Sequence, residues 1–184
     1  GYSKHSLPFS LPLIPSRIFS KIPQRGDVVI FKLPTDNSTD YVKRVIGLPG
    51  DSVQIIDGRV SLNGKILKYE EIGKNINNKF INSKNRSIGC YNQDTTILRE
   101  FLPNGRSYEI LDTYNNLPQD NTQIYRVPLN HYFVMGDNRD NSNDSTKDVG
   151  FVPRENFFGR ADYIWMTWEC WTCLPSFEKV GRIN

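Results

Sequence analysis

Two segments of this chain carry side chains that could do chemistry together. Lys43 sits in Asp40-Tyr41-Val42-Lys43-Arg44-Val45-Ile46-Gly47-Leu48-Pro49-Gly50-Asp51. Ser142 lies 99 residues further on, in Gly136-Asp137-Asn138-Arg139-Asp140-Asn141-Ser142-Asn143-Asp144-Ser145. A lysine in water has a pKa of about 10.4 and is no base at neutral pH. Burial against apolar atoms disfavours the ammonium form and lowers that value, by as much as several units. A general base works best with a pKa of about 7 to 8. A drop of ~3 units is worth roughly 4 kcal/mol of preference for the neutral amine. A lysine base therefore needs a dry setting and a polar partner that orients it.

The first segment reads as a strand ending in a tight turn. Side chains alternate along a strand, so Tyr41, Lys43 and Val45 share one face, and Val42, Arg44 and Ile46 the other. Lys43 then has a tyrosine ring and a valine beside it, with its charged neighbour turned away. Arg44, if buried, needs an anion, and Asp137 is the natural partner. Taken alone, Lys43 also reads as an ordinary solvated strand lysine.

The second segment has two readings of its own. A run so dense in Asp and Asn is usually a turn network tied by side chain to backbone hydrogen bonds. Asp140, Ser142, Asp144, Thr146 and Asp148 also fall at alternate positions, as calcium-loop ligands do. That loop type requires Gly where Ser145 stands and Glu where Phe151 stands, so calcium is disfavoured.

Composition narrows the class. The chain has 184 residues, 38% hydrophobic and 23% charged, which fits a soluble globular domain or a core with an inserted lobe. Apolar runs such as Val28-Val29-Ile30-Phe31 are too short to span a bilayer. A net charge of +3, with Lys and Arg scattered, gives no case for nucleic acid. Cys170-Trp171-Thr172-Cys173 is a lone C-x-x-C with no second pair, and Cys90 is left over, so neither a zinc site nor a disulfide framework is expected. His5 and His131 are isolated, so a histidine-based triad has little support. No metal or other cofactor is expected.

The elements that must position Lys43 and Ser142 read as strands. Residues 1–25 carry Pro8, Pro12, Pro15 and Pro23 and predict an extended segment. Asp27–Phe31 and Tyr41–Ile46 predict strands. Asp57-Gly58 and Asn63-Gly64 are preferred hairpin dipeptides, so residues 53–64 predict an antiparallel meander. Periodicity fades from Glu70 to about Gln93, which predicts a long loop or a poorly packed lobe. Further strands are expected at Tyr108–Leu111, Gln123–Val127, Tyr132–Met135 and Asp162–Met166. Short strands punctuated by Gly and Pro predict a mainly antiparallel β fold. The expected core comes from residues 1–52 and 130–184, with 53–129 as an inserted β lobe.

The two segments, in this order, resemble two boxes of the bacterial type I signal peptidases. Asp40 to Asp51 is similar to the box that carries their lysine, and Gly136 to Ser142 to their last box. Gly150-Phe151-Val152-Pro153, Gly159-Arg160-Ala161 and Arg25 to Lys32 continue the likeness, which covers most of the chain outside residues 65–125. The resemblance implies a membrane-anchored Ser/Lys endopeptidase that removes signal peptides from exported preproteins. It implies an antiparallel β catalytic core, of the signal peptidase and LexA-like type, with an inserted lobe. It places the work at the inner membrane, on the extracytoplasmic side. Carried over by motif, Lys43 is the general base and Ser142 orients its amine. Arg44 and Asp137 form a structural ion pair, and Asp144 gives further support. Asp40, Tyr41 and Val42 line the groove that reads small substrate side chains.

The chain departs from the family pattern in two places. The family's nucleophile lies in a Ser-x-Met-x-Pro box, and no such box occurs here. The expectation is that nucleophile and anchor precede Gly1, and that this chain is inactive by itself. Where many members carry an Arg paired with the residue matching Asp144, this chain has Thr146-Lys147, and Lys147 is the candidate substitute. Two other readings stand beside the peptidase: a self-cleaving Ser/Lys regulator, and a non-catalytic β-domain that binds a partner. Trp165, Trp168, Trp171 and Phe177, with Ile14, Ile18 and Phe19, read either as core or as a patch resting on a membrane surface.

Overall fold

The computed structural model describes residues 21–76, 79–81, 95–114, 116–164 and 181–183. The regular structure of these residues is almost all strand: β1 (Val28–Lys32), β2 (Asp40–Gly47), β3 (Ser52–Ile56), β4 (Arg59–Leu62), β5 (Lys65–Ile66), β6 (Lys68–Ile76), β7 (Lys79–Ile81), β8 (Thr95–Phe101), β9 (Ser107–Asp112), β10 (Tyr125–Arg126), β11 (His131–Met135), β12 (Val152–Pro153), β13 (Phe157–Arg160), β14 (Tyr163–Ile164) and β15 (Gly181–Arg182). The helical pieces described are single 3-10 turns at Pro118–Asp120 and Arg154–Asn156. The fold is mainly antiparallel β.

The sheet that holds Lys43 runs β12-β11-β2-β1-β13. Val29 of β1 pairs with Lys43 and Val28 with Arg44, while Met135 of β11 pairs with Arg44. Strand alternation splits β2 as expected. Val45 packs with Val29, Phe31, Val134 and Phe157 on one face, with Tyr41 against them. Ile46 joins Phe133 and Met135 on the other face, with Val53, Ile55, Leu98, Tyr108 and Ile110. Residues 44–47 are buried because β2 has apolar cores on both faces there.

Two four-stranded sheets, β10-β3-β4-β5 and β7-β6-β8-β9, take their strands from Ser52 to Asp112 and from Tyr125–Arg126. Both expected hairpins form with two-residue loops. Asp57 and Gly58 have φ of 48° and 73°, and Asn63 and Gly64 have 52° and 79°. Positive φ at both central residues is what the type I′ turn requires.

Three expectations need correction. The stretch from Glu70 is a strand as far as Ile76, paired with β8. Glu70, Glu71 and Lys74 are exposed there and interrupt the apolar alternation, and the ladder to β8 holds the strand. β8 itself was not expected, because Arg99 and Glu100 interrupt its apolar pattern and Glu100 occupies a core position. Gln123–Val127 shrinks to a two-residue strand. Residues 82–94 and the expectations for Cys90, Cys170, Cys173, Trp165, Trp168, Trp171, Phe177, Ile14, Ile18 and Phe19 lie outside the described residues, as do the proline-rich start up to residue 20 and the end of the last expected strand.

The close packing under β2 yields a test. A Cβ at Gly47 would lie 2.9 Å from Phe133 Cβ, 2.9 Å from Val53 Cγ2 and 3.0 Å from Val127 Cγ2. Overpacking of this kind costs ~1–3 kcal/mol. Gly47→Ala is expected to lose about that much unfolding free energy in urea titration; an unchanged midpoint would mean that the sheets can separate freely here.

Candidate active site

β11 ends opposite Arg44, so the chain leaves the sheet beside the lysine. Gly136 and Asp137 follow at once, and the loop then folds back to bring Ser142 against Lys43. Lys43 Nζ donates to Ser142 Oγ at 2.7 Å. Ser142 is buried. The lysine amine lies 5.7 Å from the centre of the Tyr41 ring. Burial pushes the Lys43 pKa down, the nearby charges of Asp144 and Asp137 push it up, and Lys147 adds to the depression. The net direction is down, so burial outweighs the two carboxylates.

Gly136 makes this contact possible. A Cβ there would sit 2.1 Å from Ser142 Oγ and 2.6 Å from Ser142 Cβ, with Lys43 Nζ at 3.4 Å. No side chain fits without moving the serine.

On the other face of β2, Arg44 and Asp137 meet as expected. Arg44 Nε donates to Asp137 Oδ1 at 2.9 Å and Nη2 to Oδ2 at 2.8 Å. Arg44 Nη1 also donates to the Gly26 carbonyl at 2.9 Å, and the guanidinium lies 4.0 Å from the centre of the Tyr108 ring. The Arg44 side chain is 5% exposed and that of Asp137 43%.

The polar loop is a turn network. Asp140 Oδ2 accepts from the Thr113 and Tyr114 amides at 2.7 and 2.9 Å. Asp144 Oδ2 accepts from the Gly136 amide at 3.0 Å, and its Oδ1 from the Thr146 amide and hydroxyl at 3.0 and 2.7 Å. These carboxylates face backbone amides. β9 clamps the same loop: the Leu111 amide donates to the Asp137 carbonyl and the Arg139 amide to the Leu111 carbonyl. Lys147 does not take the place of an arginine on Asp144. Its Nζ donates to the Ser142 carbonyl at 2.8 Å and the Asp140 carbonyl at 3.4 Å.

The three residues expected along the groove differ in placement. Val42 is 55% exposed and lines a cleft of about 240 Å³ with Val28, Lys43, Asn138, Asn141 and Ser142. Asp40 is not among that lining; it pairs with Lys32 at 2.6 Å. Tyr41 packs its ring 6.0 Å from that of Phe31, and Asn143 Nδ2 donates to its hydroxyl at 3.4 Å. The β2–β11 ladder covers Arg44 to Gly47 and does not reach residues 40–43.

Sequence reasoning missed a second buried group beneath the site. Glu100 of β8 is fully buried. Its Oε2 meets Arg139 Nη2 at 2.8 Å and accepts from the Tyr69 hydroxyl at 2.5 Å, while Oε1 accepts from the Tyr108 hydroxyl. Burial and the Glu100 charge push both tyrosine pKa values up, so both stay protonated. For Arg139, burial works against the charge, and the paired Glu100 carboxylate outweighs it. A charged residue inside an apolar run was the available signal.

Two expectations follow from the geometry. Gly136→Ala should separate Lys43 Nζ from Ser142 Oγ to beyond about 3.5 Å in a crystal structure of the variant; an intact hydrogen bond would mean that the loop has slack. The depressed pKa of Lys43 means that the unfolded chain binds more protons than the folded one between the depressed value and the ordinary lysine value. Stability therefore rises with pH through that window. In urea midpoints measured across it, the wild type should gain on Lys43→Met as the pH rises, and parallel curves would contradict the burial argument.

The family model described as "Signal peptidase, peptidase S26" matches residues 5–168. The chain is 41% identical over 175 residues to signal peptidase I of Rickettsia typhi, covering 91% of this chain and 62% of that protein. It is 42% identical over 175 residues to signal peptidase I of Rickettsia conorii, covering 91% and 61%. It thus spans about three-fifths of the length of these relatives. Among solved structures, a signal peptidase I from Enterococcus faecalis V583 is similar at 30% identity, over 76% of this chain and 97% of that one, with a TM-score of 0.43. With the lysine-bearing strand and the GDNR loop meeting as described, the chain belongs to the signal peptidase family, peptidase S26.

Proposed function

We propose that this chain supplies the general base of a Ser/Lys endopeptidase that removes signal peptides from exported preproteins. The observation that carries the reading is the 2.7 Å hydrogen bond between Lys43 and Ser142, at a lysine whose pKa burial lowers. The chemistry follows from a neutral amine. Lys43 takes the proton of the attacking serine hydroxyl as that oxygen bonds to the scissile carbonyl carbon. The resulting ammonium then protonates the leaving amine. In the second half, Lys43 takes a proton from the water that hydrolyses the acyl-serine. Ser142 holds the amine in line throughout, and the Arg44–Asp137 pair holds the strand that bears it. The family resemblance assigns the nucleophile to a Ser-x-Met-x-Pro box, a motif that residues 1–184 do not contain.

The substrate reading follows from the edge of β2 that no strand covers among the described residues. An extended peptide adds to a strand edge through main-chain hydrogen bonds, with its alternate side chains in pockets. The β2–β11 ladder stops at Arg44, which leaves residues 40–43 beside the cleft for such a peptide. Val42 supplies a small apolar contact there, which suits small side chains near the scissile bond. Asp40 and Tyr41 act behind it, as support for the strand. The reading places the catalytic region on the extracytoplasmic face of the plasma membrane, at the membrane surface, tethered by an anchor in the intact protein. Among the described residues no helix is long and apolar enough to cross a membrane. We also assign residues 53–129 as a lobe inserted into a core made of 1–52 and 130–184, a division supported by the sheets that take their strands from the middle of the chain.

The test is preprotein cleavage. In the intact protein, Lys43→Ala and Lys43→Arg are each expected to lower kcat by at least ~10²-fold with the fold retained, since a positioned base contributes ~10²–10⁴-fold. The 184-residue chain alone should show no Lys43-dependent cleavage. Normal processing by either variant would defeat the assignment.

A further inference from the structure

A buried carboxylate lies behind the site, joined directly to the serine loop and through Tyr108 to the lysine strand. Glu100 reaches them along two separate arms. One runs through the Tyr108 hydroxyl; the Tyr108 ring then lies 4.0 Å from the Arg44 guanidinium, and Arg44 is next to Lys43 in β2. The other arm is the 2.8 Å ion pair to Arg139, three residues before Ser142 in the loop. Arg139 Nε and Nη1 are buried and have no hydrogen-bond partner among the described residues, where Glu100 is the carboxylate that pairs with that guanidinium. The Tyr69 hydroxyl fixes the carboxylate from a third side and itself accepts from the Val60 amide at 2.8 Å.

Stability alone gives a weak account of this arrangement. Replacing a buried ion pair by apolar residues of similar size is often neutral or stabilising, whereas removing one partner is costly. A carboxylate with no solvent exposure, wired to two structures that must meet, is better explained by the geometry it imposes.

We propose that Glu100 is a positioning residue for the Lys43–Ser142 pair, fixing β2 through Tyr108 and Arg44 and the serine loop through Arg139. The proposal rests on the reading of Lys43 as the base, and it acts on the distance between amine and hydroxyl. Asp137 completes the circuit, since it binds Arg44 and stands two residues before Arg139. The region 53–129 would then do more than decorate the core: through β8 and β9 it sets the spacing of the reacting groups.

The experiment is a nitrogen and carbon NMR titration of the Lys43 side chain in this 184-residue chain. It compares wild type, Glu100→Gln and Tyr108→Phe, with amide spectra to establish folding and thermal melts to record stability. The wild-type amine should titrate below the ordinary lysine value. In a folded Glu100→Gln variant the serine loop shifts, the amine gains water, and its pKa should rise by at least about half a unit. Tyr108→Phe removes one hydroxyl and keeps the ring, so it decides the matter if Glu100→Gln does not fold; it should move the same titration in the same direction. Variants that melt earlier while Lys43 titrates as in the wild type would reduce Glu100 to a structural role and overturn the proposal. A wild-type Lys43 that titrates at the ordinary lysine value would instead defeat the general-base reading, and this proposal with it.

Discussion

Burial of Arg44 is the constraint from which the site follows. A guanidinium held at 5% exposure needs its charge met, and leaving such a charge unpaired costs about 3–5 kcal/mol. Asp137 meets it with two hydrogen bonds, the Gly26 carbonyl with a third and the Tyr108 ring from the face. The position of Asp137 is not free, because β11 ends opposite Arg44 and only Gly136 stands between. Once Asp137 turns to Arg44, Gly136 lies beside Lys43, and the return of the loop is confined to the space that a glycine leaves. The ion pair on one face of β2 thus fixes a hydrogen bond on the other.

That arrangement also bears on how a lysine becomes a base with carboxylates close by. Asp137 and Asp144 both favour the ammonium form, and alone they would hold Lys43 charged. Each is already committed. Asp137 is paired bidentately with Arg44, and Asp144 accepts from the Gly136 amide and from Thr146 twice. Lys147, directed at the Ser142 carbonyl, adds a positive charge on the same side. Burial therefore prevails over the two carboxylates, and the Lys43 pKa lies below the ordinary lysine value.

Much of this was legible in the sequence because it depends on local rules. Period-two alternation separated Lys43 from Arg44, and the two hairpin dipeptides gave their turns through the positive φ that their residues tolerate. The charge of Arg44 called for a partner, and the chain offers Asp137. The resemblance, carried by whole boxes, brought Ser142 to the lysine. What could not be read depends on contacts between distant segments. β6 shows no alternation because its ladder to β8, not an apolar face, holds it in place. Glu100 looks like a surface residue until β8, β9 and the loop are seen to close around it. Asp40 and Tyr41 share a motif with Val42, yet a salt bridge to Lys32 and a ring contact with Phe31 take them out of the cleft lining.

The same contrast bears on how the two parts of the chain work together. Ile46, Phe133 and Met135 share one buried cluster with residues of β3, β4, β8 and β9, so apolar burial already fastens the middle of the chain to the lysine-bearing sheet. Such burial has no direction; it secures contact but tolerates small slides. Hydrogen bonds and ion pairs are directional, and in a water-poor interior a misplaced one is costly. The Tyr108–Glu100–Arg139 group, the β9 clamp on the loop and the Arg44–Asp137 pair tie residues of β8 and β9 to the two segments that carry Lys43 and Ser142. The apolar core holds the sheets together, and the buried polar groups select one alignment among those the core would accept. A 2.7 Å contact between residues 99 positions apart needs that second layer of specification.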